Sequence, residues 1–183
     1  MNIKISLLLL PALLVSVSPL FAQERQRVSP RDTVKATIEG GDITVVYGRP
    51  YSKDPKSGEK RKIWGNLVPF GKVWRLGADE ATVLTTSTTL DFSGTKVPAG
   101  SYSLFLLPDE KGNAKLIVNK QTGQWGTRYD ESQDLVRVDM KKDAPRSAAD
   151  QLTISVEEND GGGGILKIVW DDAQYSAAFK PTR

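Results

Sequence analysis

The chain reads as all-β, a single antiparallel β-sandwich with a β-barrel as the alternative, and three observations point there. Apolar residues recur with period two in one segment after another, as in Ile43, Val45 and Tyr47 or in Leu166, Ile168 and Trp170. Clusters of Gly, Pro, Asn and Asp separate these segments at short intervals. No sustained 3.6-residue period occurs outside residues 1–22, so there are no helices to cover a parallel sheet.

With 183 residues the chain is sized for one domain with a real core. A hydrophobic share of 39% and a charged share of 26% are those of a soluble globular protein. Lys and Arg number 25 against 22 Asp and Glu, but the two signs are mixed along the chain. No phosphate-tracking stripe results, and nucleic acid is set aside as a partner. Histidine and cysteine are both absent. That excludes Ser-His-Asp and Cys-His chemistry, imidazole and thiolate metal sites, and disulfides. Any catalysis would rest on carboxylates, Lys, Arg, Tyr or Ser, or on an oxygen-ligated ion such as calcium, and no cofactor or metal site is assigned.

Residues 1–22 open with Lys4, run apolar from 5 to 17, and break at Phe21-Ala22 after Pro19. This is the layout of a secretory signal peptide with cleavage after Ala22. The apolar run is short of the roughly 20 residues of a spanning helix, and Pro11 interrupts it. The mature chain is therefore expected to have no transmembrane segment and to be exported to the periplasm or beyond. Residues 23–30 are a polar lead-in, and residues 31–181 form the β domain.

Within that domain, Val34, Ala36 and Ile38 alternate with polar residues, Gly40-Gly41-Asp42 makes a turn, and Ile43, Val45 and Tyr47 return. Continuing that parity puts Arg49 on the inward face, at the mouth of the core, with Pro50 favouring an extended Arg49. Residues 51–60 are a polar loop. Ser93-Gly94 and Pro98-Ala99-Gly100 punctuate short strands, and residues 102–107 form a nearly continuous apolar run, the mark of a strand covered on both faces. Leu116 and Val118 return from a turn. The long loop 120–134 carries Trp125 and Tyr129, and a loop of that length in a small domain is usually functional or mobile. Val136, Val138 and Met140 alternate, and the charged linker 141–150 could hold a helical turn. Leu152, Ile154 and Val156, then Leu166, Ile168 and Trp170, then Tyr175, Ala177 and Phe179 supply three closing strands.

The densest stretch is 61–84, where Trp64 and Trp74 interleave with Lys62, Lys72, Arg75, Asp79 and Glu80. Alternation sets Trp74 and Leu76 on one face and Val73 and Arg75 on the other, and Gly77 breaks the strand before Asp79 and Glu80. The candidate ligand-binding residues are Tyr47, Arg49, Trp64, Trp74, Arg75, Asp79 and Glu80. Guanidinium groups suit carboxylate or phosphate, and aromatic faces suit rings. The plainer alternative is an Arg75–Glu80 salt bridge tying a bend while the tryptophans fill the core. Asp109, Glu110 and Asn113, and Asp160 beside the glycine run 161–164, lack the spacing of a calcium loop and read as solvated turns. Neighbouring carboxylates such as Asp171-Asp172 point to opposite faces of a strand, so no glycosidase pair is expected.

Four blocks also carry a family resemblance. Tyr47-Gly48-Arg49-Pro50, the pair Arg61-Lys62-Ile63-Trp64-Gly65 and Leu67-Val68-Pro69-Phe70-Gly71-Lys72-Val73-Trp74-Arg75, then Gly77-Ala78-Asp79-Glu80-Ala81-Thr82, and Pro98-Ala99-Gly100-Ser101-Tyr102-Ser103-Leu104-Phe105 closely resemble the bacterial family called domain of unknown function 2911. The ordered set is far more specific than any one block. The family pattern often has Asn where Asp79 stands, and a shorter loop than 51–60. The resemblance implies an exported, mostly β domain, frequent in the Bacteroidota and relatives, with no established activity or catalytic residues to carry over.

The expectation is a binding or structural module of the cell envelope with a polar or anionic small-molecule or glycan ligand. Two alternatives stand beside it. One is a cofactor-independent enzyme using Glu80 as acid or base with Arg49 or Arg75 stabilising an anion. The other is a protein-partner module using strand edges or loop 120–134.

Overall fold

The computed structural model describes residues 27–182, and the leader-like stretch 1–22 lies outside the described residues. Eleven strands follow in order: β1 (Arg31–Ile38), β2 (Gly41–Gly48), β3 (Thr82–Thr86), β4 (Thr89–Phe92), β5 (Thr95–Val97), β6 (Gly100–Pro108), β7 (Ala114–Asn119), β8 (Asp134–Asp143), β9 (Ala149–Glu158), β10 (Gly164–Asp171) and β11 (Ala173–Thr182). Among the described residues there is no α-helix, only a 3₁₀ turn at Glu131–Gln133. Among the described residues no helix is long and apolar enough to cross a membrane.

The strands pair in the order β1-β2-β3-β6-β7-β8-β11-β10-β9, with β4 on the far end of β11 and β5 on β4. Every strand pairing is antiparallel. Strand β8 is long enough to serve two neighbours. Its first part pairs with β7, and Lys141, Lys142 and Asp143 pair with β11. That accounts for the linker 141–150, where a helical turn was expected. Its first three residues are strand and its last two open β9, and Pro145 disfavours a helical residue before it.

The β1–β2 hairpin turns on Glu39 and Gly40, both left-handed with φ of 46° and 81°, as a two-residue loop between twisted strands requires. The turn is one residue earlier than Gly40-Gly41-Asp42, because Gly41 already pairs with Ile38. From there the parity holds. Ile43, Val45 and Tyr47 point into one continuous core with Leu104, Leu106, Leu116, Ile154, Ile168, Trp170 and Tyr175. Each such buried aliphatic or aromatic side chain contributes about 1.5–3 kcal/mol. Strand β6 is covered on both faces, as its apolar run predicts. Leu104 and Leu106 face the main core, whereas Phe105 joins Ala81 and Ile117 in a second cluster on the outer face, beneath Val73 and Tyr129.

The two ends of the strand path are drawn together, so the sheet is nearly closed into a barrel, and the sandwich and barrel readings both fit it. Closure uses the residues that end β2. Leu152 of β9 donates its N–H to the Pro50 carbonyl at 3.0 Å, and its own carbonyl accepts Arg49 Nε at 3.0 Å. Ile154 N–H donates to the Tyr47 hydroxyl at 2.9 Å, and Ser52 N–H donates to the Asp150 carbonyl. Arg49 also reaches Thr153 Oγ1 at 3.0 Å and Asp32 on β1 at 3.3 Å. Side chains therefore substitute for part of a backbone ladder along this seam, satisfying edge groups that would otherwise lack partners.

Candidate functional site

Within stretch 61–84, residues 71–74 lie along the edge of β6 beyond the reach of β3. Trp74 exchanges both backbone hydrogen bonds with Leu106, at 2.8 and 2.9 Å, and Gly71 N–H donates to the Pro108 carbonyl at 2.8 Å. This pairing fixes the faces read from the parity: Leu76 and Trp74 belong to the main core, and Val73 packs on the outer cluster. Past Trp74 the chain bends through Leu76 and Asp79, both left-handed with φ of 50° and 64°. The bend is clamped from two sides. Gly48 is pressed so closely to it that a Cβ there would lie 2.3 Å from the Ala78 carbonyl oxygen, which is why β2 ends in glycine. On the other side, Gly126 N–H donates to the Asp79 carbonyl at 2.9 Å and Ala81 N–H to the Gln124 carbonyl at 3.1 Å. Asp and Asn are the non-glycine residues that best tolerate left-handed backbone, and Asp79 meets that demand here.

The bend and loop 120–134 form one wall of a groove of about 500 Å³. Its aromatic lining includes Trp74, Trp170 and Phe105, with Trp74 stacked on Trp170 at 5.5 Å between centroids and 15° between planes. Arg75, Asp79, Thr127 and Tyr129 line it from the bend and loop, and Tyr51, Arg61 and Leu67 from the residues after β2. Arg75 is positioned by its Nε, which donates to the Gly77 carbonyl at 3.1 Å, and by Gly126, where a Cβ would lie 2.8 Å from Arg75 Cδ. Arg61 Nη2 donates to the Tyr51 carbonyl, while its buried Nε and the buried indole N–H of Trp170 meet no protein acceptor. Among the described residues no carboxylate lies within ion-pair distance of Arg61 or Arg75.

Tyr129 is held against Phe105 at 4.8 Å between centroids and donates to Asp134 at 2.6 Å. Asp134 is itself gripped by Arg137 at 2.8 Å. Burial, aided by the Asp134 carboxylate, pushes the Tyr129 hydroxyl up to about 12, so it stays protonated at neutral pH.

The seven residues singled out from the sequence are divided among four places. Trp74, Arg75 and Asp79 line the groove. Trp64 lies behind it, edge-on to Trp74 at 6.2 Å and donating to the Trp170 carbonyl at 3.1 Å. It lines a smaller cavity of about 320 Å³ with Lys60, Arg61 and Asp171. Tyr47 and Arg49 are at the seam, with the Tyr47 ring buried. Glu80 is gripped by Arg27 through two hydrogen bonds of 2.6 and 2.7 Å, with Arg31 at 3.4 Å. The expected Arg75–Glu80 pair is thus replaced by one with residues before and at the start of β1. The Arg27 hydrogen bonds hold the Glu80 carboxyl down at about 2. It is ionised throughout the neutral range and poorly suited to proton transfer.

Arg61, Tyr51, Phe105, Tyr129 and Trp170 were missed as site residues. The doubly covered strand 102–107 and the long aromatic loop were the signals for Phe105 and Tyr129. Trp170 carried none, since its parity is that of a core residue. Among the described residues, no group of three or more acidic side chains is arranged to hold a metal ion.

Residues 29–179 match the family model described as protein of unknown function, DUF2911. The chain belongs to the DUF2911 family. Comparison with curated proteins and with solved structures gives no match. The blocks that carry the DUF2911 resemblance have distinct places in this fold. Tyr47-Gly48-Arg49-Pro50 closes the barrel and seats the bend, Trp74 and Arg75 with Gly77-Ala78-Asp79 make one side of the groove, and Phe105 at the end of the fourth block underlies it.

Proposed function

We propose that the protein is a binding module of the cell envelope whose groove takes an anionic, ring-bearing small molecule or glycan. The observation that carries this reading is the pair of arginines, Arg61 and Arg75, lining an aromatic groove with no carboxylate within ion-pair distance of either among the described residues. An uncompensated guanidinium in a concave, partly apolar site favours an anion. The volume is within the roughly 300–1,000 Å³ of small-molecule sites. The envelope location rests on the leader-like layout of residues 1–22. Catalysis through Glu80 draws no support from a carboxyl already committed to Arg27 and Arg31.

Thermal unfolding of the purified protein with benzoate, D-galacturonate or inorganic phosphate tests the reading. A ligand at ten times its Kd stabilises by about 1.4 kcal/mol, which raises Tm by about 3–6 °C in a domain of this size. At least one anion is expected to do so, and the Arg61→Gln/Arg75→Gln variant is expected to lose the response. No shift with any of them at 10 mM, roughly the weak limit of small-ligand sites, or an undiminished shift in the double variant, sinks the proposal.

A further inference from the structure

The groove's own chemistry narrows the ligand further, on the premise that it binds an anion at all. Five aromatic side chains make up its lining: Tyr51, Trp74 and Tyr129, which are partly exposed, and Phe105 and Trp170, which are buried beneath them. The large hydrophobic residues exposed among the described residues are Val28, Leu67 and Trp125, at 64%, 42% and 46%. Val28 and Leu67 line this groove, and Trp125 immediately precedes Gly126, which also lines it. Single exposed apolar residues are ordinary, but a set gathered round one concavity marks a binding surface.

A glycan would present hydroxyls on most of its edges, and the exposed Val28 and Leu67 of this rim offer them no hydrogen-bond partner. The charge balance is equally selective. The lining holds Arg61 and Arg75 with one carboxylate, Asp79, which itself lies 3.8 Å from Arg27, so the lining is net positive and favours an anion. The Nε of Arg61 is buried and meets no protein acceptor, so the guanidinium that lines the groove is not saturated by the protein.

We infer that the groove's ligand is an aryl monocarboxylate, its flat ring among the aromatic side chains and its carboxylate against Arg61 and Arg75. Ring-on-ring contact gives preference to an aromatic body over a saturated one of the same shape, and the guanidinium pair gives preference to the acid over the neutral alcohol.

Isothermal titration of the protein at low salt with 2-naphthoate, decahydro-2-naphthoate, 2-naphthylmethanol and D-galacturonate separates these contributions. 2-Naphthoate is expected to bind tightest. The neutral alcohol is expected about tenfold weaker or worse, and the saturated acid roughly 3- to 10-fold weaker. Arg75→Gln and Arg61→Gln, each with an unchanged unfolding midpoint, are expected to weaken 2-naphthoate about tenfold. Galacturonate binding as tightly as 2-naphthoate, or the saturated acid doing so, overturns the aryl assignment and leaves the anion-binding reading intact. If no acid binds, or the neutral alcohol matches 2-naphthoate, both fail.

Discussion

Replacing Tyr47 with Phe removes one oxygen from the seam and nothing else. The ring is buried, and Phe preserves its shape, so the hydrophobic contribution is unchanged. What is lost is the acceptor for Ile154 N–H, now 2.9 Å from the hydroxyl. Ile154 is on the last strand of the path, with β10 on one side and the seam on the other, so no ladder carbonyl replaces the lost one. An unsatisfied buried N–H costs about 1–3 kcal/mol, and a domain of this size loses about 2–4 °C of Tm per kcal/mol. Tyr47→Phe is therefore expected to unfold roughly 2–12 °C lower. In native-state hydrogen exchange the Ile154 amide should lose about tenfold or more of its protection. Ligand affinity at the groove should be unchanged, because Tyr47 does not line it. A Tm within 1 °C of the parent (below the roughly 2 °C minimum expected) together with an undiminished Ile154 protection would refute the seam argument. Loss of ligand binding without loss of stability would return Tyr47 to the site.

Two further outcomes follow from the bend. Glu80, depressed from 4.5 to about 2 by Arg27, contributes stability that is fully present above pH 4.5 and is lost as pH falls through about 2. Since a third of its side chain is exposed, solvent screening limits that contribution to about 1 kcal/mol. The Tm of Glu80→Gln should be lower than the parent's at pH 6 and converge with it near pH 2, and a constant gap across that range would contradict the assignment. At Asp79, with φ of 64°, Asp79→Asn should unfold within about 0.5 kcal/mol of the parent. Asp79→Val should lose about 1–2 kcal/mol in a denaturant titration, and equal losses would show that the carboxylate, not the backbone, matters there.

How far the site was legible can be followed through Arg49 and Arg75. Parity along β2 correctly put Arg49 at the mouth of the core, and parity along 73–76 correctly turned Arg75 away from it. Nothing in either segment could say that Arg49 would meet β9, about a hundred residues later (|i−j| of 103 for its Leu152 bond), or that Arg75 would have no carboxylate within ion-pair distance among the described residues. Glu80 illustrates the same limit. Arg75 was its natural partner by proximity in sequence, yet Arg27 and Arg31 reach it from the other end of the chain. Arg61 stood inside the densest stretch and went unassigned, because its place in the groove depends on Tyr51 and Trp170, which no local pattern connects.

The sequence by itself determined which residues point inward, where most hairpins turn, and the all-β class, because period-two burial and left-handed turn residues are local properties of the backbone. It also determined membership of DUF2911, through blocks long enough to be specific. Only the tertiary structure decided the strand order, the closure of the barrel by Tyr47 and Arg49, and the meeting of Trp74, Arg75, Phe105, Tyr129 and Trp170 in one groove. Those are contacts between segments far apart in the chain. Their energies depend on distances and facing partners that a one-dimensional pattern does not contain.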